Sequence, residues 1–558
     1  MTAPLRFDRF YTYDELTAHV RALVDAHPDR LRLETIGASH QGRAIWLVTA
    51  TRFATGAPED KPAYWVDANI HATELAPSTL ALMLIHRLAT SSDAEVTRCL
   101  DQRVFYIVPR VNPDGAELAL AARPRFIRSS VRPYPFDETP TSAMALEDVD
   151  GDGRILQMRV RDPHGAYKRS PVDPRLMVRR EPTEEGGEYY RLLPEGRIEG
   201  YDGWLIPTPK SRAGLDLNRN FPSHWRGEGE QPGAGEFPTS EPEVRALVAA
   251  VRARVNICGS VHLHTYSGVL LRPPGTRPDE DIAPEDRWTY DTIGARGTEL
   301  TGYPAICLYK DFRYHPKEII TGVCDDWMYE DLGVFAWTTE LWSPRRAAGI
   351  AEGRWIDWYR EHPHEDDLKL VAWSDALVGE KGYVPWYPFR HPELGDVELG
   401  GWDFLRVFSN PPAPVMEREL APHVDWMLWN NLVGPRLTML EASLTPLSGD
   451  VYRVRLVVQN AGWLPTYVTK RALEKKTVRP VRGELALEGG ELVSGTWRQE
   501  LGHLAGRAYK KAAAFGPMAD PTDDRGKAEW TVRLPEGARV RWTIRHERAG
   551  TLRGELAR

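Results

Sequence analysis

The stretch Val66-Asp67-Ala68-Asn69-Ile70-His71-Ala72-Thr73-Glu74-Leu75 decides how the rest of this chain is interpreted. The apolar run from Tyr64 to Ile70 predicts a buried strand. His71 and Glu74 follow at its end, three residues apart. Imidazole nitrogen and carboxylate oxygen both suit Zn²⁺, and a catalytic zinc site takes three protein ligands and leaves one position for water. Because H-x-x-E also occurs by chance, the motif needs support from a third ligand, a base and a substrate clamp elsewhere.

The overall composition is that of a globular protein. A chain of 558 residues exceeds what one hydrophobic core usually serves, so two or three domains are expected. The net charge of -8, with both signs mixed, argues against nucleic-acid binding. The N-terminus lacks the apolar core of a secretory signal, and no run of 18 apolar residues predicts a membrane span. The four cysteines form no C-x-x-C pair, which favours free thiols. We expect a cytoplasmic protein without nucleic-acid or membrane partners.

Strand and helix patterns alternate over the first 360 residues. Predicted strands cover 31–36, 44–50, 64–70, 103–109, 255–263 and 334–341, and predicted helices cover 12–26, 75–89, 240–254, 286–300 and 346–361. Ser240 is the predicted cap of its helix, and Asn112-Pro113-Asp114-Gly115 is a turn signal. The alternation predicts an α/β sheet covered on both faces. In such sheets, sites lie beyond the carboxyl ends of strands, where His71 and Glu74 fall.

An insertion over about 129–212 is irregular and rich in Pro, Gly and charge, and it is expected to rim a site or to pack beside it. Within it, Asp148, Asp150 and Asp152 have the spacing of a calcium loop. Arg159 stands at the loop's twelfth position, which excludes a full EF-hand. A tight acidic turn and a bound Ca²⁺ are the two alternatives.

The last third of the chain changes pattern. Residues 363–435 are rich in Trp and Pro and are predicted to be a connector packed on the preceding domain. From residue 436 to 558 the period becomes alternating, with short strands between turns. That pattern predicts a small antiparallel β-sandwich.

Over roughly residues 8–360 the chain resembles the zinc metallocarboxypeptidases of the carboxypeptidase A/B (funnelin) family. The resemblance rests on motifs in family order: His-Ala-Thr-Glu at 71–74, Asp-Leu-Asn-Arg-Asn at 216–220, His-Thr-Tyr-Ser at 264–267, and a strand-terminal glutamate at 340. It implies a mixed central sheet covered by helices, with residues 1–362 as the catalytic domain. It also implies one Zn²⁺ per chain and a peptide substrate with a free C-terminal carboxylate.

The family's metal ligands carry over onto His71, Glu74 and His264. His262 lies two residues earlier on the same strand face and is an alternative third ligand, although the His-Thr-Tyr-Ser match favours His264. The resemblance makes Glu340 the general base. A carboxylate that ends so apolar a run is either costly to bury or used by a site.

Substrate-binding roles follow from the same comparison. Asn218 and Arg219 are the expected clamp for the terminal carboxylate, and a guanidinium suits that task because it can form two charge-assisted hydrogen bonds. Arg128 is the expected partner of the scissile carbonyl, with Arg125 and Arg132 as competitors.

Two further residues concern substrate preference. Tyr266, in the His-Thr-Tyr-Ser motif, is a predicted substrate contact. Asp325 falls at the family's specificity position, where an acid resembles the B-type enzymes that prefer a C-terminal Lys or Arg. The alternative is that Asp325 is an acid at a helix N-terminus.

The chain also departs from the family pattern. Thr73 replaces an arginine of the digestive enzymes, so peptide-subsite use is in doubt while the metal site is not. The family's mobile tyrosine aligns with Glu318, and Tyr314 is only a nearby substitute. We expect no inhibitory pro-segment.

Three functions are therefore compatible with these motifs. The first is a zinc carboxypeptidase in which water on Zn²⁺, activated by Glu340, attacks the last peptide bond. The second is a zinc amidase that acts on γ-glutamyl or cell-wall-type peptides. The third is a non-catalytic peptide-binding module, which the retained ligands and Glu340 disfavour.

Overall fold

A computed structural model describes residues 4–133, 144–206, 214–315, 317–351, 355–508, 516–517, 519 and 521–558 of the protein. The predictions for 134–143 and 207–212 of the insertion, and for 352–354 of the helix predicted over 346–361, lie outside these residues. Among the described residues, no helix is both long enough and apolar enough to span a bilayer. All four cysteines are buried and unpaired, as predicted.

Except for the helices Ala94–Gln102 and Pro113–Ala119, the N-terminal elements follow the predicted pattern. They are α1 (Tyr13–Ala26), β1 (Leu31–Ala38), β2 (Ala44–Ala50), β3 (Ala63–Ala68), α2 (Ala76–Thr90), α3 (Ala94–Gln102), β4 (Val104–Val108) and α4 (Pro113–Ala119). Thr12 and Glu15 form a capping box at the start of α1. The turn predicted at residues 112–115 is wrong, because these residues begin α4. Asn112 caps that helix, and Pro113 occupies its first position, where a missing N–H costs nothing.

The segment predicted to be irregular forms short strands instead. They are β5 (Met144–Leu146), β6 (Gln157–Arg161), β7 (Tyr167–Arg169), β8 (Met177–Arg179), β9 (Tyr190–Pro194) and β10 (Gly196–Ile198). Strands of three to five residues hold too few alternations for a periodic signal.

The remaining elements of the first 360 residues complete the central sheet. They are α5 (Pro242–Arg252), β11 (Ile257–Thr265), β12 (Val269–Arg272), α6 (Pro284–Thr301), β13 (Ala305–Cys307), α7 (Leu308–Asp311), α8 (Cys324–Glu330), β14 (Phe335–Leu341), α9 (Pro344–Ala347) and α10 (Trp355–Arg360). Two predictions are wrong here. Glu241, not Ser240, is the N-cap of α5, and the Ser240 hydroxyl instead donates to the Glu241 carboxylate. In place of the single helix predicted over 346–361, the described residues contain two short helices, α9 and α10.

In the described residues, the central sheet has eight strands in the order β1-β2-β4-β3-β11-β14-β12-β13. The four middle strands, β4, β3, β11 and β14, run parallel, while β1, β2 and β12 add antiparallel pairs. One buried cluster includes residues of α2 and α6 on one face, and a second includes residues of α5 and α8 on the other. The predicted mixed sheet covered by helices is thus confirmed. Its register pairs His264 with Glu340 on adjacent parallel strands.

The stretch predicted to be a connector contains regular structure. It holds α11 (His364–Val378), β15 (Tyr383–His391), β16 (Gly395–Trp402), a π-helical turn (Phe404–Phe408) and α12 (Ala413–Leu432). Strand β16 pairs with β6, so the hairpin and the insertion share one antiparallel sheet, β15-β16-β6-β9-β7-β8. Side chains of α12 enter the same buried cluster as those of α2 and α6. The stretch is therefore built into the domain that contains the central sheet.

The C-terminal region is all-antiparallel, as predicted. It contains β17 (Leu437–Ser448), β18 (Val451–Asn460), a short helix α13 (Lys470–Lys475), β19 (Arg482–Glu488), β20 (Glu491–Ser494), β21 (Arg498–Glu500), β22 (Arg525–Arg533), β23 (Arg539–His546) and β24 (Gly550–Ala557). Two four-stranded sheets, β17-β18-β22-β20 and β21-β19-β23-β24, share one buried core. The buried Arg548 guanidinium donates to the carbonyl of Gly333 and so joins the sandwich to the domain that contains the central sheet.

One buried histidine on α12 makes the fold sensitive to acid. His423 is fully buried, its ring packs edge-on against Tyr303, and neither ring nitrogen has a hydrogen-bond partner among the described residues. Burial, with a smaller contribution from the charge of Arg346, lowers the pKa of His423 to about 3. The unfolded chain takes up this proton near pH 6.5, so stability is lost as the pH falls below that value.

We expect His423→Phe to reduce this acid sensitivity. The histidine alone should cost about 2–3 kcal/mol of unfolding free energy between pH 7.5 and pH 4.5. Urea denaturation of both proteins at the two pH values measures the difference, and His164→Phe, at an exposed histidine, is the control. An equal loss of stability in the unmodified protein and in His423→Phe would contradict the prediction.

Candidate metal centre and active-site pocket

Three predicted ligands meet at one point in the fold. His71 and Glu74 lie on the loop after β3, and His264 lies near the end of β11. The His71 Nδ1 atom is 2.7 Å from Glu74 Oε1 and 3.1 Å from His264 Nδ1, and His264 Nδ1 is 3.1 Å from Glu74 Oε2. All three side chains are buried. Zinc bonds of 2.0–2.1 Å in a tetrahedron place ligand atoms about 3.3 Å apart, so the spacing and the His₂Glu donor set both fit Zn²⁺.

The outer contacts of the ligands also fit a metal. The second ring nitrogen of His71, Nε2, lies 3.1 Å from the Asp216 carboxylate. A hydrogen bond from Nε2–H to this carboxylate fixes the tautomer in which Nδ1 has a free lone pair for a metal ion. The Thr265 amide donates to Glu74 Oε2. Burial by itself would raise the pKa of Asp216, but the charge of Arg128, followed by that of His71, lowers it well below its usual range. Asp216 therefore stays ionised and fixes the His71 ring.

The competing histidine, His262, is placed elsewhere. Its Nδ1 atom lies 2.7 Å from the buried Asp67 carboxylate, and its Nε2 faces the Ser260 hydroxyl at 3.3 Å. Both ring nitrogens are thus occupied inside the sheet. The structure groups His264, and not His262, with His71 and Glu74.

Asn410, which follows the π-helical turn, holds the loop that carries the first two ligands. Its side-chain oxygen accepts from the backbone amides of Leu75 and Ala76, and its side-chain nitrogen donates to the Thr73 carbonyl at 2.9 Å. Helix α2 has no side-chain cap of its own, so Asn410 satisfies amides that would otherwise lack partners. No motif could have revealed this contact, because the two segments are more than 330 residues apart in sequence.

A pocket beside the ligands brings most of the predicted substrate residues together. Its wall includes Asn218, Arg219, Arg128 and Glu340, along with His71 and His264. The buried Arg219 guanidinium donates to the Asn218 backbone carbonyl, and no carboxylate of the described residues forms an ion pair with it. A buried guanidinium that forms no ion pair and faces a pocket is an attractive site for an anion.

Arg128 and its two competitors are separated by their contacts. The Arg128 Nε donates to Asp216 Oδ2 at 3.0 Å, and its Nη1 lies 3.5 Å from Glu74 Oε1. Arg125 instead lies beside Glu147, and Arg132 forms a bidentate pair with the buried Glu241 carboxylate. Only Arg128 of the three lines the pocket.

Glu340 lies in β14, the strand that pairs with β11, and it lines the same pocket. Burial raises its pKa well above its usual range, and the negative charge of Glu74 adds to this, while Arg128 opposes it. A carboxylate whose pKa is raised in this way is a stronger base than an exposed carboxylate.

The far wall of the pocket combines an acid with apolar side chains. The Asp325 carboxylate is buried and accepts from the Thr338 hydroxyl and from the Asp326 amide. Leu271, Leu308, Phe312, Ile320 and Val323 line the wall around it. Tyr314 lines the pocket and is 43% exposed. Glu318, at the position of the family's mobile tyrosine, is exposed and does not line it.

Two predicted positions lie outside this pocket. The Tyr266 ring does not line it and packs edge-on against Tyr359, Phe404 and Phe408. Thr73 is buried, and its backbone carbonyl accepts a hydrogen bond from the Asn410 side chain.

The possible calcium loop is not supported. Asp152 turns toward Arg154, and Asp148 accepts from the backbone amides of its own turn. Asp148 and Asp150 group with Glu195 instead. Burial raises the pKa of Glu195 to about 7, and its two carboxylate oxygens accept from the backbone amides of Val149 and Leu156. The tight acidic turn is the interpretation that fits these contacts.

Comparison with known proteins identifies the family of the first 360 residues. A sequence model described as "Zinc carboxypeptidase" matches residues 16–154 and 155–359, which is more than half of the chain. The chain belongs to the zinc carboxypeptidase family. A second model, of a domain of unknown function, matches residues 436–557.

Individual members of the zinc carboxypeptidase family are distant from this chain. Carboxypeptidase A2 of Rattus norvegicus is 22% identical over 285 residues, covering 49% of each protein. Carboxypeptidase B2 of the same species is 22% identical over 367 residues, covering 63% of this chain and 67% of that protein. Carboxypeptidase A of Helicoverpa armigera, a solved structure, is 18% identical with a TM-score of 0.39, covering 67% of this chain and 75% of that one. The chain spans about half the length of the A2 relative. Carboxypeptidase A2 and carboxypeptidase B2 match at equal identity, so these two matches do not distinguish the A and B types.

We expect Asn410→Ala to weaken zinc binding about tenfold, because the ligand loop loses three hydrogen bonds that orient it. Competition with a fluorescent zinc chelator measures the affinity. Asn430→Ala is the matched control, since Asn430 is also buried but donates to the Tyr64 hydroxyl, away from the loop. Equal zinc affinities for the two variants would contradict the positioning role of Asn410.

Proposed function

We propose that the protein is a zinc-dependent carboxypeptidase that removes the C-terminal residue of peptides. The observation that carries the proposal is the buried Arg219 guanidinium, which lacks an ion-pair partner among the described residues and faces the same pocket as the metal ligands and Glu340. A C-terminal carboxylate would neutralise this charge, and the Asn218 side chain lies beside it. The last peptide bond of the substrate would then lie next to the ligand group.

The residues around that bond would divide the chemistry between them. A zinc ion held by His71, Glu74 and His264 would supply Lewis-acid chemistry and an acidic water molecule. The Glu340 carboxylate would take a proton from the attacking water and return it to the leaving amine. The Arg128 guanidinium would donate to the carbonyl oxygen as negative charge develops there. Asp216 would hold both Arg128 and His71 in orientation.

The wall around Asp325 supports a preference for C-terminal Lys or Arg. The aliphatic stem of such a residue would contact the apolar side chains, and its cation would reach the buried carboxylate. Asp325 also lies in the first turn of α8, which agrees with the alternative that it is an acid at a helix N-terminus. Its place on the pocket wall is compatible with both roles.

We expect Glu340→Gln to lower kcat by at least about 100-fold, because the amide cannot act as a base, while zinc remains bound. A panel of short peptides with varied C-terminal residues, assayed with and without a chelator, measures turnover, and atomic absorption measures zinc. His264→Ala is the control that should lose both. Retained turnover in Glu340→Gln would remove its role as base, and inactivity of the zinc-loaded protein on every peptide would contradict the carboxypeptidase function.

We expect Asp325→Asn to lower kcat/KM for C-terminal Lys at least about tenfold, because the substrate cation loses its partner. Activity on C-terminal Phe should change little. Asp326→Asn is the matched control, since this neighbouring carboxylate accepts from the Gly275 amide and does not line the pocket. A preference of the unmodified enzyme for apolar C-terminal residues would contradict the assignment.

A further inference from the structure

A large apolar cavity lies next to the metal-ligand group. Its volume is about 610 Å³, within the range of about 300–1,000 Å³ that is usual for small-molecule sites. It shares no lining residue with the pocket that contains Arg219 and Asp325. The catalytic residues therefore lie beside two separate spaces, and the proposed function assigns an occupant to only one of them.

Two sequence neighbours and one packing contact connect this cavity to the site. Phe126 on its wall precedes Arg128 by two residues, and Tyr266 follows His264 by two. Leu405 on its wall belongs to one buried cluster with Leu75, the residue after Glu74. The cavity wall thus begins at the residues that surround the ligand group.

The rest of the wall comes from segments that pack on the catalytic sheet. Leu193 in β9 and Trp402 in β16 belong to the shared antiparallel sheet, and Phe408 ends the π-helical turn. Phe404 and Phe408 stack with ring centroids 5.4 Å apart, and Tyr266 meets both edge-on. Asn410, which orients the ligand loop, also donates to the Leu405 carbonyl. The same turn therefore fixes both the metal loop and one side of the cavity.

The chemistry of the wall limits what can enter. Apart from the tips of tyrosine and tryptophan rings, the polar side chains that line the cavity are Gln157, His362 and Asp367, and the last two hydrogen-bond each other. Each peptide unit of a substrate carries an N–H and a C=O that need partners when they are buried. A peptide main chain would leave such groups unpaired here, whereas a hydrocarbon chain would not.

We propose that the cavity binds a long aliphatic acyl group on the amino side of the scissile bond, which makes N-acylated short peptides the substrate class. This inference rests on the proposed function. The C-terminal residue would fill the pocket of Arg219, the scissile bond would lie at the ligand group, and the acyl chain would extend past Tyr266 into the cavity.

The test uses the full chain loaded with zinc and two substrate series, N-acyl-Gly-Lys and N-acyl-Gly-Phe, each with acetyl, hexanoyl and decanoyl groups. Each fully buried methylene should raise kcat/KM about fourfold, so hexanoyl should exceed acetyl at least about tenfold. Acetyl-Trp-Gly-Lys is included to separate an acyl chain from an aromatic side chain. Equal rates for this peptide and the decanoyl substrate would overturn the acyl assignment.

Two variants locate the effect. Leu193→Asp places a charge on the cavity wall and should abolish the dependence on chain length while leaving the acetyl substrate unchanged. Leu447→Asp makes the same substitution at an exposed leucine of the β-sandwich and should leave the dependence intact. A Leu193→Asp enzyme that still prefers long chains would overturn the proposal.

A binding measurement separates this inference from the function on which it rests. Calorimetry compares N-decanoylglycine with N-acetylglycine below the micellar concentration. Tighter binding of the decanoyl compound, lost in Leu193→Asp, would support the acyl site even if no peptide were hydrolysed, and only the proposed function would then fail. Hydrolysis that is independent of chain length, with equal binding of both compounds, would overturn the inference and leave the carboxypeptidase function in place.

Discussion

The burial of Glu74 is the constraint on which the architecture of the site depends. A carboxylate sealed from water is costly unless opposite charges and hydrogen-bond donors surround it. Here the rings of His71 and His264, the Arg128 guanidinium and the Thr265 amide surround it. These groups come from the ends of two neighbouring strands and from a separate loop. The order β3-β11-β14 therefore brings together the charges that stabilise Glu74, and it also places Glu340 beside them.

This arrangement depends on parts of the chain that lie beyond the family match. The zinc-carboxypeptidase model ends at residue 359, yet the loop of His71 and Glu74 is held by Asn410. Asn410 lies between the π-helical turn and α12, whose apolar side chains pack into the central core. One buried side-chain amide thus connects the ligand loop with the π-helical turn that precedes α12. Removal of the residues after 362 would be expected to affect metal binding as well as stability, because α2 would lose the groups that cap it.

Much of the central sheet could be predicted from the sequence, because its strands are long, continuously apolar and followed by helices of clear period. The ligands could be predicted for a different reason, since their residue types and spacing follow from what zinc requires. The short strands of the insertion could not, because each holds too few alternating residues for a periodic signal and some pair with distant partners, as β6 does with β16. Asn112 and Ser240 show a second limit. Their residue types indicate a chain reversal or a helix cap, but the packed context selects which one forms.

The parts that were not predicted include the walls of the apolar cavity. Metal ligands and base are set by chemistry that few residue types can perform, so they carry a recognisable pattern. The walls of a binding cavity require only apolar side chains of suitable size, which many sequences supply. In this chain the insertion and the segment after residue 362 join in one sheet beside the site, and both contribute to the 610 Å³ cavity. A sequence motif can therefore indicate the metal site and the family, whereas the wall of this cavity is formed by contacts between segments more than 200 residues apart, such as β6 and β16.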